Sequence, residues 1–251
     1  MILHLSSWPE VDEYLTNHSA ILIPIGSTEQ HGPTGLIGTD ALCPEVIARR
    51  VSATTGLMVG PTFNVGIAPH HMEFAGTMSL RPSTMKAVMY DWVSSLAHHG
   101  FDRIYFLNGH GGNVSTIRES FEELHQDPVL SQPNDHRRPV VCKLANWWGF
   151  APVLDFCRST YGGAHGAHAT PSEVAITYAA YPEHQKHVPL DPQIAPMSRY
   201  GDAQDYREKF PDGRMGSDPS LATVEDGAHL IELSAQHVSE DFKIFAESPC
   251  D

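Results

Sequence analysis

The sequence predicts an α/β fold: a mainly parallel β-sheet flanked by helices on both faces. Three observations carry that prediction. Short apolar, β-branched runs alternate with segments of helical periodicity through the first half of the chain. The turns joining them are short, which suits strands linked by helical crossovers. Two clusters of glycine and polar residues, 26–33 and 108–113, follow the first and third apolar runs. In a parallel sheet, ligands bind there, outside the carboxyl ends of the strands.

The elements follow in order. Ile21-Leu22-Ile23-Pro24-Ile25 reads as a buried strand ending at Gly26-Ser27. A helix follows, from Thr39 or Asp40 to about Arg50, capped by one of those two residues, with Leu42, Val46 and Ile47 inward. Residues 57–65 form a second strand, interrupted by Gly60-Pro61. Met85, Val88, Met89, Trp92, Val93 and Leu96 share one helical face, so a helix starts after Ser83 and stops at Gly100. Residues 103–107 are a third strand, 114–125 a helix with Ile117, Phe121 and Leu124 inward, and 139–144 a fourth strand. Beyond these, 170–181 and 223–245 read as helices. Residues 182–216, rich in Pro, Asp, His and Tyr, lack periodicity and read as a long loop, a lid or a subunit contact.

Composition narrows the function. With 41% apolar and 18% charged residues the chain is globular rather than disordered. It shows no repeat, low-complexity tract or Pro/Ser linker, so residues 1–251 are expected to form one domain. A net charge of −14 argues against nucleic acid and for a small, uncharged or cationic ligand. No apolar run approaches the ~20 residues of a membrane span, and residues 1–13 carry no signal-peptide pattern. Cys43, Cys142, Cys157 and Cys250 are scattered without a Cys-x-x-Cys pair, which favours a reducing cytoplasm over a disulfide framework. Histidine is the unusual residue: 16 copies, as many as Lys and Arg together. It is a common metal ligand and proton carrier, so its placement matters.

Three clusters could carry chemistry. In Gly26-Ser27-Thr28-Glu29-Gln30-His31-Gly32-Pro33, Glu29 and His31 are two apart and point the same way if extended. With Asp40 they make an oxygen and imidazole set suited to zinc, manganese or iron. Alone, Asp40 reads better as a helix cap; at the mouth of a parallel sheet, the three together read as ligands. In Asn108-Gly109-His110-Gly111-Gly112-Asn113, a histidine among glycines reads as a ligand beside the first cluster. A phosphate cradle competes weakly there, since the loop has no Lys or Arg. An ordinary glycine-rich turn is the third reading. In the third cluster, residues 162–173, Thr170-Pro171-Ser172-Glu173 fits a capping box, and Glu173 could still ligate. His165 or His168 could shuttle a proton. His70, His71 and Glu73 follow the second strand and could line the pocket, with Trp147 or Trp148 as an aromatic wall. His98 and His99 suit a helix end. The remaining histidines, His136 among them, have no neighbours that argue for a site.

Together with Phe74-Ala75-Gly76-Thr77-Met78-Ser79-Leu80 and Gly216-Ser217-Asp218-Pro219-Ser220-Leu221-Ala222-Thr223, these motifs resemble the creatininase (creatinine amidohydrolase) family over most of the chain. The resemblance implies a three-layer α/β fold, two divalent metal ions and hydrolysis of amide-type C–N bonds. It also implies a small-molecule substrate and a homo-oligomer, creatininase itself being a hexamer. Glu29, Asp40 and His110 would ligate one metal. His31 and Asp40 would ligate the other, with Asp40 bridging and Glu173 completing the set. His168 matches a histidine involved in proton transfer. Gly112 departs from creatininase, which has a metal-binding Glu there, and Thr170-Pro171 replaces the usual Gly-Glu. Both departures argue against assuming creatinine as substrate. Family relatives that act on formamides, peptides or an oxidised inositol ring keep other substrates open, as does a binding protein on the same scaffold.

Overall fold

A computed structural model describes residues 1–131 and 138–248. His136 and Cys250 lie outside the described residues.

Four parallel strands form the sheet, in the order β2-β1-β3-β4: β1 (Ala20–Ile25), β2 (Met58–Val59), β3 (Arg103–Asn108) and β4 (Val141–Asn146). The register ends with Ile25, Asn108 and Asn146 side by side at the carboxyl edge. β1 and β3 are buried along their whole length, as their unbroken apolar runs require. Pro24 is tolerated in a central strand because β2 leaves the ladder after Val59; its carbonyl accepts from Phe63 N–H instead. The expected strand over 57–65 is thus two residues long, cut at Gly60-Pro61, with Phe63 rejoining Ile25 as an isolated bridge.

Side chains alternate across the sheet. Ile21, Ile23, Ile25, Ile104 and Phe106 pack on one face under α1 (Trp8–Leu15), α3 (Pro82–His99) and α4 (Val114–Gln126). Leu22, Tyr105 and Leu107 pack on the other under α2 (Thr39–Thr55), α6 (Ala151–Tyr161), α7 (Pro171–Ala180) and α9 (Val224–Glu247). Tyr14, Ile47, Met89, Val153 and Phe242 are among the inward residues of these helices. A short α5 (Pro128–Ser131) follows α4. The fold is α/β with helices on both faces.

Three expectations need correction. α2 begins after Gly38, which makes no side-chain cap, so neither Thr39 nor Asp40 is the cap and Asp40 is released inward. Second, α1 and α6 are helices where none was expected; α1 opens with a Ser7–Glu10 capping box. Third, residues 182–216 are irregular over most of their length, as expected, but are not without structure. They contain α8 (Ala203–Lys209), capped by Asp202, and bury Tyr206, Phe210 and Arg214. Arg214 donates to Asp212 and to the carbonyls of Pro192, Gln193 and Ser217, which ties the segment down.

The amino end of α2 sits hard against the sheet. A Cβ at Gly26 or Gly109 would come within 2.1 Å or 2.0 Å of the Asp40 carbonyl oxygen, so only glycine fits at these two strand ends. Pro44 contributes, because it has no N–H to engage that carbonyl. The close approach brings Asp40 to the carboxyl edge of the sheet.

Candidate metal centre

The predicted site residues converge at that edge. Glu29 and His31 come from the turn after β1, Asp40 from the first turn of α2, and His110 from the loop after β3. Glu173 comes from the first turn of α7. Glu29, His31, Asp40 and His110 are buried. Their ligand atoms fall into two groups that could each hold an ion: Glu29, Asp40 and His110, and His31, Asp40 and Glu173. Asp40 is common to both. His168 lies within reach of Glu29 and His31 as a third combination.

The loops are held by their own polar side chains. Asn108 bonds the backbone of His110 at both ends, with Nδ2 donating to its carbonyl at 2.7 Å and Oδ1 accepting from its N–H at 3.1 Å. Asn113 donates to the Gly26 carbonyl and accepts from Ile67 N–H, both at 2.9 Å. The glycine and asparagine pattern therefore fixes one imidazole. Glu173 keeps the expected capping role, accepting from Thr170 N–H, while its carboxylate still reaches toward His31 at 3.9 Å.

Electrostatics set what the cluster can hold. His110 Nε2 lies 2.9 Å from the Ile67 carbonyl and must donate to it, which leaves Nδ1 bare, 2.8 Å from Asp40 Oδ2. His31 repeats the pattern: Nδ1 donates to the Glu29 carbonyl at 3.0 Å, and Nε2 faces Asp40 Oδ1 at 3.0 Å. Glu29 Oε1 and Oε2 and Asp40 Oδ2 are buried without a hydrogen-bond partner. Acceptor faces acceptor on both sides of Asp40, an arrangement that a cation or a proton must reconcile. Burial disfavours a charged His31, but Asp40, Glu173 and Glu29 outweigh it and raise the group to about 10. Burial likewise opposes charge on His110, and Glu29 and Asp40 raise it to about 9. Asp40 is held far below the usual carboxylate range: burial works upward, and His31 and His110 overcome it. A metal ligand histidine is ordinarily tied by its other nitrogen to a carbonyl or carboxylate, as both are here. The donor set fits divalent ions.

Gly112 is constrained as well. A Cβ there would come 2.4 Å from His110 Nε2 and 2.5 Å from the Ile67 carbonyl. A side chain at 112 would displace the bond that orients His110. This chain thus has no room for a ligand at that position, and Glu173 is the carboxylate on the remaining side.

A cavity of about 520 Å³ opens over the cluster. Its walls include His70, Trp147, Trp148, His165, His168, Tyr200 and Tyr206, and no Lys or Arg lines it among the described residues. His70 stacks on Tyr200, centroids 5.2 Å apart, and burial with the neighbouring His71 lowers it to about 4. His168 donates Nε2–H to the Gln30 carbonyl at 2.7 Å and turns Nδ1 toward Glu29. Burial, then His31 and His71, push its basicity well down, so it is neutral. His165 pairs with Ser172 at 2.8 Å. Burial raises Glu173 to about 7 against the pull of His31. Ala169, between His168 and Thr170, has φ 53, a left-handed conformation that a residue other than glycine adopts at a cost of about 1–2 kcal/mol. Glu73 is exposed and does not line the cavity, and His98 and His99, in the last turn of α3, are not among its lining residues either. Tyr200 and Tyr206 carry no local sequence signal, because they sit in the aperiodic segment. Gln30, between two predicted ligands, carries no signal of its own, since its partners come from distant parts of the chain.

Comparisons with known proteins show the family and the fold. Residues 4–242 match the family model described as "Creatininase: Creatinine amidohydrolase". The chain is 27% identical to the mycofactocin precursor peptide peptidase of Mycobacterium ulcerans (strain Agy99), over 90% of this chain and 81% of that protein. It is 25% identical to the creatinine amidohydrolase of Pseudomonas putida, over 70% of each. A solved structure titled "Creatininase Mn" superimposes with a TM-score of 0.84 at 20% identity, covering 98% of this chain and 99% of the other, which demonstrates a shared fold.

Proposed function

The chain belongs to the creatininase family of metal-dependent hydrolases acting on C–N bonds, and from that premise we propose that it hydrolyses a small amide or cyclic amide with two divalent ions. Glu29, Asp40 and His110 would hold one ion; His31, Asp40 and Glu173 would hold the other. Zinc, manganese or iron suits this donor set. The observation that carries the reading is the opposed pair of acceptors on each side of Asp40. When bound, such ions supply Lewis acidity that activates water and polarises a carbonyl.

The chain's own residues do the rest. Trp147, Trp148, Tyr200 and His70 wall the cavity and exclude water from a bound amide. Neutral His168 offers Nδ1 as a proton acceptor, its other nitrogen tied to Gln30. Having taken that proton, His168 would deliver it to the departing nitrogen; Glu173, which burial raises to about 7 in the absence of an ion, would share this role only where its carboxylate does not ligate. A wall without Lys or Arg favours neutral or cationic substrates over carboxylates.

We take residues 1–251 as one hydrolase domain that works in the cytoplasm and assembles as a homo-oligomer. No described helix is long and apolar enough to cross a membrane, and Cys43, Cys142 and Cys157 are free thiols. Exposed Ile194 and Met197 would suit a contact between copies. A monomer mass by light scattering at micromolar concentration would contradict the assembly.

A mass-spectrometric screen of the metal-loaded protein against creatinine, lactams, formamides, short peptides and cyclic diketones tests the activity. Cleavage of a C–N bond, abolished by chelation and restored by zinc or manganese, is the expected result. Turnover confined to the diketones would move the reaction to another bond. Ligand binding without any turnover would favour a binding protein on this scaffold.

A further inference from the structure

One buried histidine has no part in the reading above. His71 ends the turn Pro69–His71 and is 1% exposed. Its Nε2 lies 3.2 Å from Glu29 Oε1, off the hydrogen-bond line, and its Nδ1 lies 2.9 Å from Gln30 Nε2.

The Gln30 amide decides which ring nitrogen carries the proton. Its Oε1 accepts from Gly32 N–H at 2.8 Å, and its Nε2 donates to the Gly213 carbonyl at 2.9 Å. A backbone donor at the oxygen and a backbone acceptor at the nitrogen permit one amide orientation. Gly213 is packed against that amide so closely that a Cβ would meet Oε1 at 1.9 Å. The amide nitrogen has two hydrogens and three neighbours at 2.9 Å: Gly213, His71 Nδ1 and His168 Nε2. His168 Nε2 uses its own hydrogen on the Gln30 carbonyl and accepts none. The second amide hydrogen therefore goes to His71 Nδ1. His71 must then carry its proton on Nε2, facing Glu29.

We propose that His71 is a positioning residue: its Nε2–H, placed by the Gln30 amide, faces Glu29 Oε1 across 3.2 Å and, by charge–dipole attraction rather than a hydrogen bond, keeps the carboxylate turned toward Asp40 and His110. The inference rests on the metal reading of Glu29. Gln30 thereby governs two imidazoles, His71 through its side chain and His168 through its main chain.

The test has two arms. In the first, histidine-selective 15N spectra of the metal-free wild type, assigned by the loss of signals in His71→Gln, report the tautomer directly. The expected result is a protonated Nε2 and a bare Nδ1; the opposite tautomer overturns the inference. In the second, zinc affinity is measured by competition with a chromophoric chelator. His71→Ala should bind about 10- to 100-fold more weakly, the usual loss for a group behind a metal ligand. His71→Gln, which restores an N–H, should recover part of that loss. Gln30→Glu removes the amide donor, so it should invert the His71 tautomer and weaken zinc to a similar degree. Wild-type affinity in folded His71→Ala overturns the inference while leaving the metal reading intact. Failure of the wild type to bind zinc overturns the metal reading itself, and the tautomer still reports on the link between Gln30 and His71.

Discussion

The two ends of the sheet bury charge in opposite ways. At the amino end, Arg103 is 1% exposed, and its guanidinium donates to the carbonyls of Asp102 and Ser248, each at 3.0 Å, with Asp102 Oδ1 at 3.4 Å. Ser19 also donates to Asp102 Oδ1 at 2.7 Å. Both terminal nitrogens of the guanidinium meet acceptors from the chain itself. At the carboxyl end, Asp40 faces nitrogens of His31 and His110 whose partner nitrogens are already committed to carbonyls, and oxygens of Glu29 and Asp40 have no hydrogen-bond partner. The difference teaches how to tell a structural ion pair from a site: burial is common to both, and satisfaction by the protein is not.

The largest expected effect comes from removing a predicted ligand. His110→Ala should lose at least one metal equivalent and lower turnover about 10³-fold or more, since a bound ion supplies several kcal/mol of charge stabilisation. Elemental analysis beside steady-state kinetics checks it, and full occupancy with unchanged turnover would break the comparison. At the other end, Arg103→Met should cost about 3–5 kcal/mol by urea unfolding, the usual penalty for removing one partner of a buried pair. Its metal content should stay at the wild-type value. Next, Gly112→Ala should weaken metal binding about 10- to 100-fold by pushing His110 off the Ile67 carbonyl. Titration with a chromophoric chelator reads that loss; wild-type affinity would show that the Ile67 bond does not orient His110. The smallest effect concerns thiols. Burial raises Cys142 to about 12, and burial with Glu173 and Asp40 raises Cys43 well above its usual value. A raised thiol has less thiolate at a given pH, so both should resist iodoacetamide at pH 8 in the native protein, as peptide mass mapping would show. Rapid labelling of Cys43 would mean that water reaches the packing between α2 and the Glu173 backbone.

Much of this was legible in the chain. The β1 and β3 runs, the apolar stripe of α3 and the Thr170–Glu173 capping box all appear where local pattern places them, because each depends on neighbours in sequence. The convergence of Glu29, His31, Asp40 and His110 followed from strand ends in a parallel sheet. What stayed hidden depends on long-range packing. α8 is seven residues with one inward side chain, Tyr206, too little for periodicity to register. Asp40 taken alone reads as a cap, because Ser, Thr and Asp at helix starts usually are; the tight seat of α2 on Gly26 and Gly109, which no local pattern reveals, is what turns it inward as the ligand reading requires. Gln30 could not be read from sequence, since its partners lie 41, 138 and 183 residues away. The Ser7–Glu10 box of α1 was readable and marks a helix start that periodicity alone does not reveal.

The central claim is that the opposed acceptors around Asp40 are two ion sites. Elemental analysis by plasma mass spectrometry tests it most directly, on protein purified without a His-tag or chelator and run beside Glu29→Ala and Glu173→Ala. The account predicts about two metal equivalents in the wild type, as for a two-ion centre, with one lost in each variant. A wild type that takes up no metal, even after incubation with zinc or manganese, would contradict it.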